Sequence, residues 1–299
     1  MEREIFYIID GEYRNIASFL KSKGYSSSNI IDLKKYENGI MLNGVWAYMN
    51  QKPAVNDRLL VRVCENKKSE NIVPVDIKLD IKYEDEDIVV INKSGDMPIH
   101  PSFNNYENSL ANALMYYYNG KNFVFRCINR LDKDTTGLTI VAKHFLSAGI
   151  LNIAMQNRQI KRVYNAIVKD EGRLAKEGII DLPIARENDT LIKRKVSEDG
   201  QRAVTYFKMI KRFGEHSLIE LRLETGRTHQ IRVHMSHIGA PLAGDYLYNE
   251  NEYGKKDVRP LLHSKSLDFI HPVTGERIYL ECDLPFDFKE KIMIGKDYV

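Results

Sequence analysis

Residues 126–137 read Arg126-Cys127-Ile128-Asn129-Arg130-Leu131-Asp132-Lys133-Asp134-Thr135-Thr136-Gly137. Asp132 lies in a run of charged, polar and small turn-forming residues. Directly behind it, Leu138-Thr139-Ile140-Val141-Ala142 has the apolar, β-branched character of a buried strand. A carboxylate at the mouth of such a strand sits on a rigid scaffold yet stays open to solvent, which is where side chains do chemistry. Read locally, Asp132 could equally cap a turn, because Asp is a common turn residue.

Working outward, strands and helices mix without a regular βαβ rhythm. Ile88-Val89-Val90-Ile91 is a short buried strand, and residues 163–168 and 218–223 are two more. Residues 108–118 suit a helix, as do 144–157 with apolar positions at 145, 146, 150, 151 and 154. This pattern predicts an α+β fold with a largely antiparallel mixed sheet rather than a doubly wound one.

Upstream, residues 1–65 read as a separate small unit. Ile16, Phe19 and Leu20 share one helical face, and residues 26–29 can cap a second helix carrying Ile30, Ile31 and Leu33. Asn43-Gly44 between residues 40–42 and 45–47 is a tight-turn signal, and residues 59–63 close the unit as a strand. Two short helices followed by a hairpin resemble the small RNA-binding domain shared by a small-subunit ribosomal protein and many RNA-modifying enzymes. A docking domain without RNA contact shares the same elements. The polar stretch opening residues 66–79 reads as a linker, leaving 80–299 as the larger domain.

A second dense segment runs Glu224-Thr225-Gly226-Arg227-Thr228-His229-Gln230-Ile231-Arg232-Val233-His234. Gly226 permits a sharp turn. Thr228 is expected to cap a helix with Ile231, Met235 and Ile238 on one face, ended by Gly239. Arg227 then stands at a strand-to-helix corner. Three histidines lie here, but no carboxylate joins them at metal-ligand spacing and no His-Glu-x-x-His pattern occurs, so no metal is expected.

The 299 residues are 43% hydrophobic and 28% charged, ordinary for a soluble protein. Apolar runs reach about five residues, against roughly 20 for a membrane span. Met1-Glu2-Arg3-Glu4-Ile5 lacks a signal-peptide layout, so a cytoplasmic protein with no membrane partner is expected. Three widely spaced cysteines suggest neither a disulfide framework nor a thiolate site. The net charge of +3 is too small to indicate a nucleic-acid partner by itself. Neither a phosphate-binding Gly-x-x-x-x-Gly-Lys loop nor a Gly-x-Gly-x-x-Gly fingerprint is present, so no cofactor is expected.

The Arg130-Leu131-Asp132 string resembles the signature of the RluA/RluD-type pseudouridine synthases, which isomerise uridine in RNA. Gly226–His234 resembles that family's second signature, continued by Pro241-Leu242-Ala243-Gly244-Asp245. Residues 83–93 with His100-Pro101-Ser102 resemble its opening, and Lys161-Arg162-Val163-Tyr164-Asn165-Ala166 the segment with its active-site tyrosine. Leu262-His263-Ser264 and residues 269–276 resemble its C-terminal blocks. The blocks occur in family order from about residue 80 to 288. Asn129 stands where many members have His, Thr136 where Ser is usual, and Ser94 where Pro is usual. Asn129 thus bears on which RNA is recognised.

The resemblance implies a pseudouridine synthase catalytic domain with an N-terminal RNA-binding domain, acting on structured RNA, either ribosomal or transfer RNA; the N-terminal unit favours ribosomal RNA, and a monomer is expected. It implies Asp132 as the essential catalytic group. Arg227 is expected to pair with its carboxylate. Tyr164 is expected to stack on the uracil or to assist proton transfer at its carbon. Arg130 is expected to fill the space left by a flipped base, and Lys161, Arg162, Arg232 and His229 to contact RNA. Two other classes fit parts of the pattern. A non-catalytic RNA chaperone would bind without isomerising. An aspartate-dependent glycosidic hydrolase would want a second carboxylate, and none stands in the matched blocks.

Overall fold

The computed structural model describes residues 2–187, 190, 192–255 and 258–294. The last five residues of the expected larger domain lie outside that set.

The N-terminal unit contains β1 (Glu2–Ile8), α1 (Ile16–Ser22), α2 (Ser27–Leu33), β2 (Ile40–Leu42), β3 (Val45–Trp46) and β4 (Arg58–Cys64). Its strands form a sheet of their own in the order β1-β4-β2-β3. Both helices start in reciprocal caps, Asn15 with Ser18 and Ser26 with Asn29, which satisfy amides the first turn leaves unpaired. Asn43 and Gly44 both have positive φ (52° and 83°), as a two-residue hairpin turn of matching twist requires. Strand β1 was not foreseen. Its partner β4 is more than fifty residues away, so no local turn signal announces the pairing.

This unit is fastened to the rest of the chain. Leu146 belongs to its apolar cluster, and the Asn29 side-chain amide donates to the Phe145 carbonyl (3.2 Å). Residues 66–79 are tied down as well. The Ser69 and Val75 amides donate to the Phe123 and Asn112 carbonyls (both 3.2 Å), and Ile72, Ile77 and Leu79 pack on the main core.

The main sheet comprises β5 (Ile81–Glu84), β6 (Ile88–Lys93), β7 (Arg126–Cys127), β8 (Thr136–Ala142), β9 (Lys161–Lys169), β10 (Glu177–Asp181), β13 (Val204–Phe213), β14 (His216–Leu223), β15 (Leu262–Ile270) and β16 (Arg277–Glu281). The order is β10-β13-β14-β9-β15-β8-β6-β5, with β16 beside β15 and β7 beside β8. Only β15 and β8 run parallel, so the expected α+β fold with a largely antiparallel mixed sheet is what the chain adopts. Helices α3 (Leu110–Tyr117) and α5 (Gln230–His237) cover one face, and α4 (Phe145–Gln156) the other. A hairpin of β11 (Ile184–Arg186) and β12 (Arg194–Val196) stands off the sheet, and α6 (Phe286–Ile294) follows β16.

Strand β8 is buried along its whole length, Val141 toward α3 and α5, Leu138 and Ile140 toward α4. At its start Gly137 has φ 106°, and a Cβ there would lie 2.3 Å from the Ser264 carbonyl oxygen. Only glycine lets β15 come this close, and that approach anchors the end of the Asp132 loop.

Candidate active site

The loop between β7 and β8 carries Asp132. Asn129 zips it to β8: its amide oxygen accepts from the Ile140 N–H (2.7 Å) and its amide nitrogen donates to the Leu138 carbonyl (3.0 Å). Asn129 is 2% exposed, and it shapes the loop while lining the cleft beside Asp132. On the other side, buried Lys93 at the end of β6 donates to the carbonyls of Ser94 (2.7 Å), Met97 and Lys133 (both 2.8 Å). Burial pulls the Lys93 ammonium down to about 7, against Asp134 and Asp132, which raise it. Three carbonyl acceptors use all three N–H groups of the charged form. Asp132 therefore stands on a loop pinned at both flanks, one residue from a pinned carbonyl.

The Asp132 side chain is 29% exposed, and its close nitrogen neighbours come from the start of α5. His229 Nε2 lies 4.0 Å and Arg232 Nη1 3.9 Å from Asp132 Oδ2. The expected Arg227–Asp132 pair does not form. Arg227 is exposed in the turn before the helix, and its Nε donates to the Arg202 carbonyl (3.1 Å). Positions 229 and 232 share a helical face and 227 does not, which is why Arg232 reaches the aspartate.

Arg232 is also withdrawn from the RNA-contacting role expected of it. It is 3% exposed, and its Nε and Nη2 donate to the two oxygens of Asp245 (both 2.8 Å). Burial alone would lower its guanidinium, but Asp245 and Asp132 raise it above its ordinary value. Asp245 is saturated by two further amides, those of Leu247 (3.0 Å) and Tyr248 (3.2 Å). A fully paired Arg–carboxylate fork is a rigid mount, and it leaves Nη1 directed at Asp132.

The corner differs from expectation in its cap too. Residue 229, not Thr228, takes the cap position, with φ 57° and no side-chain capping bond. Gln230 stabilises the turn instead, accepting from the Arg227 amide (3.0 Å) and the Thr225 hydroxyl (2.8 Å) while donating to the Val204 carbonyl (3.0 Å). Burial lowers the His229 imidazole below its usual range, partly offset by Asp132. His234 bonds Thr205 Oγ1 and the Leu182 carbonyl (both 2.9 Å), so both of its ring nitrogens are engaged.

These groups open on a cleft of about 610 Å³, within the roughly 300–1,000 Å³ range of ligand sites. Arg130, Asp132, Arg162, Tyr164, Arg227, His229 and Arg232 all line it. Tyr164 is 4% exposed in β9 and forms part of the wall. Five arginines (130, 158, 162, 227, 232) against two carboxylates (Asp132, Glu224) give the lining a net charge of 5 − 2 = +3. The charge the whole chain spreads thinly is thus matched within one cleft, as a polyanionic ligand requires. Lys161 is not among these residues. Alternation along β9 turns it to the opposite face, where it lines a second groove with Asp268 and Tyr279. Lys93, Asp245 and Tyr248 were not foreseen as site residues. Asp245 stood in a quoted block without a role, and nothing local marks Tyr248 among seventeen tyrosines.

Among the described residues, one group has the spacing of a three-ligand metal site: Asp85, Asp87 and His271. Its oxygens are engaged by Tyr83, Arg3, His144 and two backbone amides, which makes it a closed ionic cluster.

Residues 87–237 match the RNA pseudouridylate synthase family. The chain is 39% identical over 280 residues to the uncharacterized RNA pseudouridine synthase YjbO of Bacillus subtilis (strain 168), covering 92% of this chain and 96% of that one. It is 36% identical over 281 residues to ribosomal large subunit pseudouridine synthase D of Buchnera aphidicola subsp. Schizaphis graminum, covering 88% and 89%. The solved structure of human RNA pseudouridylate synthase domain containing 1 superposes with a TM-score of 0.60 at 26% identity, covering 70% of this chain and 84% of that one. With likeness running through both units of the chain and through the loop and corner that form the cleft, this protein belongs to the RNA pseudouridylate synthases of RluA/RluD type, isomerases that convert uridine to pseudouridine in RNA.

Proposed function

We propose that the cleft isomerises particular uridines of structured ribosomal RNA, with Asp132 as the reacting carboxylate and the target base flipped out of its stack. The observation that carries this reading is the placement of Asp132 in a +3 cleft, with Arg232 and His229 directed at it from a rigid corner. The ribosomal choice is supported by relatives named ribosomal large subunit pseudouridine synthase D, such as that of Haemophilus ducreyi at 41% identity over 233 residues.

The reaction breaks the bond between ribose C1′ and uracil N1, turns the base, joins C1′ to uracil C5, and moves the C5 proton to N1. Atoms and electrons balance without an oxidant or reductant. Asp132 can enter by attacking C1′, by attacking the ring, or by taking a sugar proton. Arg232 supplies positive charge beside the carboxylate, fixed by Asp245 so that no reorganisation is needed during turnover. Tyr164 provides a wall against which the uracil lies. Extruding a base costs a few kcal/mol. Arg130, exposed two residues before Asp132, is placed to enter the vacated stack. Arg162 and Arg227 contact phosphates at the rim, and Lys161 contacts RNA that passes over the second groove. Residues 1–65 serve as an RNA-contacting domain, residues 66–79 as the connector and 80–299 as the catalytic domain, the whole working as a monomer.

A pseudouridine map of total RNA from cells with and without the gene tests this. Loss of one or a few sites in large-subunit ribosomal RNA is expected. Loss confined to transfer RNA would overturn the ribosomal assignment.

A further inference from the structure

His229 is bent into a left-handed backbone conformation, φ 57°, that strains a non-glycine residue. Its side chain is not used to cap the helix it precedes. Strain of this kind persists only where the surroundings over-determine it. Here they do so through Tyr248, which the mechanism above leaves without a role.

We propose that Tyr248 is a positioning residue for the isomerisation: its hydroxyl holds His229 in the tautomer whose Nε2–H faces Asp132, and joins that geometry to the β11–β12 hairpin. The Tyr248 oxygen lies 2.8 Å from His229 Nδ1 and accepts from the Arg194 backbone amide, also at 2.8 Å. An amide can only donate. The hydroxyl keeps its own proton to donate, and in the proposed arrangement Nδ1 accepts it. A neutral imidazole that accepts at Nδ1 carries its proton at Nε2, the nitrogen 4.0 Å from Asp132 Oδ2. Burial pushes the Tyr248 phenol up to about 12, so it keeps the proton it donates. The charged groups facing His229 are Asp132, Arg232, Asp245 and Arg194. The two carboxylates favour an imidazolium, the two guanidinium groups oppose it, and burial decides for the neutral ring.

Tyr248 touches Arg232 as well. The Arg232 guanidinium lies 5.1 Å from the Tyr248 ring centroid, and the His229 ring meets it edge-on at 5.6 Å. One side chain thus braces both groups directed at Asp132. Because its hydroxyl is bonded to the first residue of β12, a hydrogen-bonded chain runs from the Arg194 amide through the Tyr248 hydroxyl to the His229 ring, whose Nε2 then faces the Asp132 carboxylate across 4.0 Å. The inference rests on Asp132 as the reacting group.

The test uses the full-length enzyme and RNA from cells lacking the gene, labelled with tritium at uracil C5. Tyr248→Phe keeps the ring under Arg232 and removes only the hydroxyl. It is expected to lower the single-turnover rate of tritium release by about 10- to 100-fold, the scale of a misplaced reacting group. Filter-binding affinity for the RNA should stay within about twofold. The effect should depend on the imidazole. In His229→Gln, whose amide supplies an N–H at the position of Nε2, adding Tyr248→Phe should change the rate by less than about twofold. Imidazole nitrogen resonances of the wild-type protein should show Nδ1 unprotonated. A proton on Nδ1, an equal loss in both backgrounds, or weaker binding at an unchanged rate would overturn the proposal. Such a failure with wild-type turnover intact leaves the role of Asp132 standing, whereas an active Asp132→Asn enzyme removes the premise itself.

Discussion

The catalytic unit holds two clusters of charge, and they are built to opposite ends. Around Asp85 and Asp87 every carboxylate oxygen is taken. Asp85 accepts from the Asp87 and Ile88 amides (2.7 and 2.8 Å) and the Tyr83 hydroxyl (2.7 Å), with His271 Nε2 at 2.8 Å. Asp87 accepts from Arg3 Nε (3.2 Å) and lies 2.8 Å from His144 Nε2. Around Asp132, saturation stops one residue short. Asp245 is fully bonded and fixes Arg232, but Asp132 has Arg232 only at 3.9 Å and His229 only at 4.0 Å, and it opens on the cleft. The first cluster spends its charges on fastening the N-terminal strand to the sheet. The second keeps one carboxylate in reserve for a ligand. Titratable groups mark function only where their bonding is left incomplete.

The largest expected effect breaks the open cluster at its reserve. Asp132→Asn should lower pseudouridine formation by at least about 10³-fold, because no neutral amide can replace a reacting carboxylate. Stability should change by no more than about 0.5 kcal/mol, the usual range for a partly exposed side chain outside the packed core. A thermal melt beside a tritium-release assay checks both. A large loss of stability would place Asp132 with the structural carboxylates.

Next comes the mount. Arg232→Met leaves Asp245 buried without its partner and should destabilise the protein by about 3–5 kcal/mol. Arg227→Met, in the exposed turn, should stay within about 0.5 kcal/mol. Urea unfolding of the two variants side by side measures the difference. Equal effects would mean that the corner treats both arginines alike.

The closed cluster gives the smallest effect and a pH signature. Burial would raise the carboxyls of Asp85 and Asp87, but His271 and Tyr83 for the first, and His144 and Arg3 for the second, hold both below the ordinary range. A depressed carboxyl contributes stability that is fully present above its unfolded pKa, about 3.9 for Asp. That contribution is lost as pH falls through this value toward the folded one. Melting temperature should therefore hold at neutral pH and decline below about pH 5. Asp87→Asn should cost about 1–3 kcal/mol at pH 7, as for a buried group losing a charged partner, and flatten that decline. An unchanged slope in the variant would show that the acid sensitivity lies elsewhere.

Much of the fold was legible because its signals are local. The Asn43-Gly44 turn, the helix capped by Ser109 and the buried run 138–142 each carry their reason within a few residues. Strand β1 was missed because its only partner is distant in sequence. The site divides in the same way. Asp132 and its loop stood out by composition. Arg227 reads as the partner because it stands at a strand-to-helix corner, and only the start and handedness of α5 decide which position faces the loop. Asn129 is also a fastener, since its two amide bonds go to a strand about ten residues on.

The sequence by itself determined that this chain is an α+β RNA-modifying enzyme and singled out Asp132, because motif order and strand patterning are properties of residues in a row. Only the tertiary structure decided which cation stands by that aspartate, which carboxylates are already spent, and that Tyr248 braces His229. Those are relations between residues far apart in the chain, such as Arg232 with Asp132 and Tyr248 with His229, and they exist only once packing has fixed distance and direction.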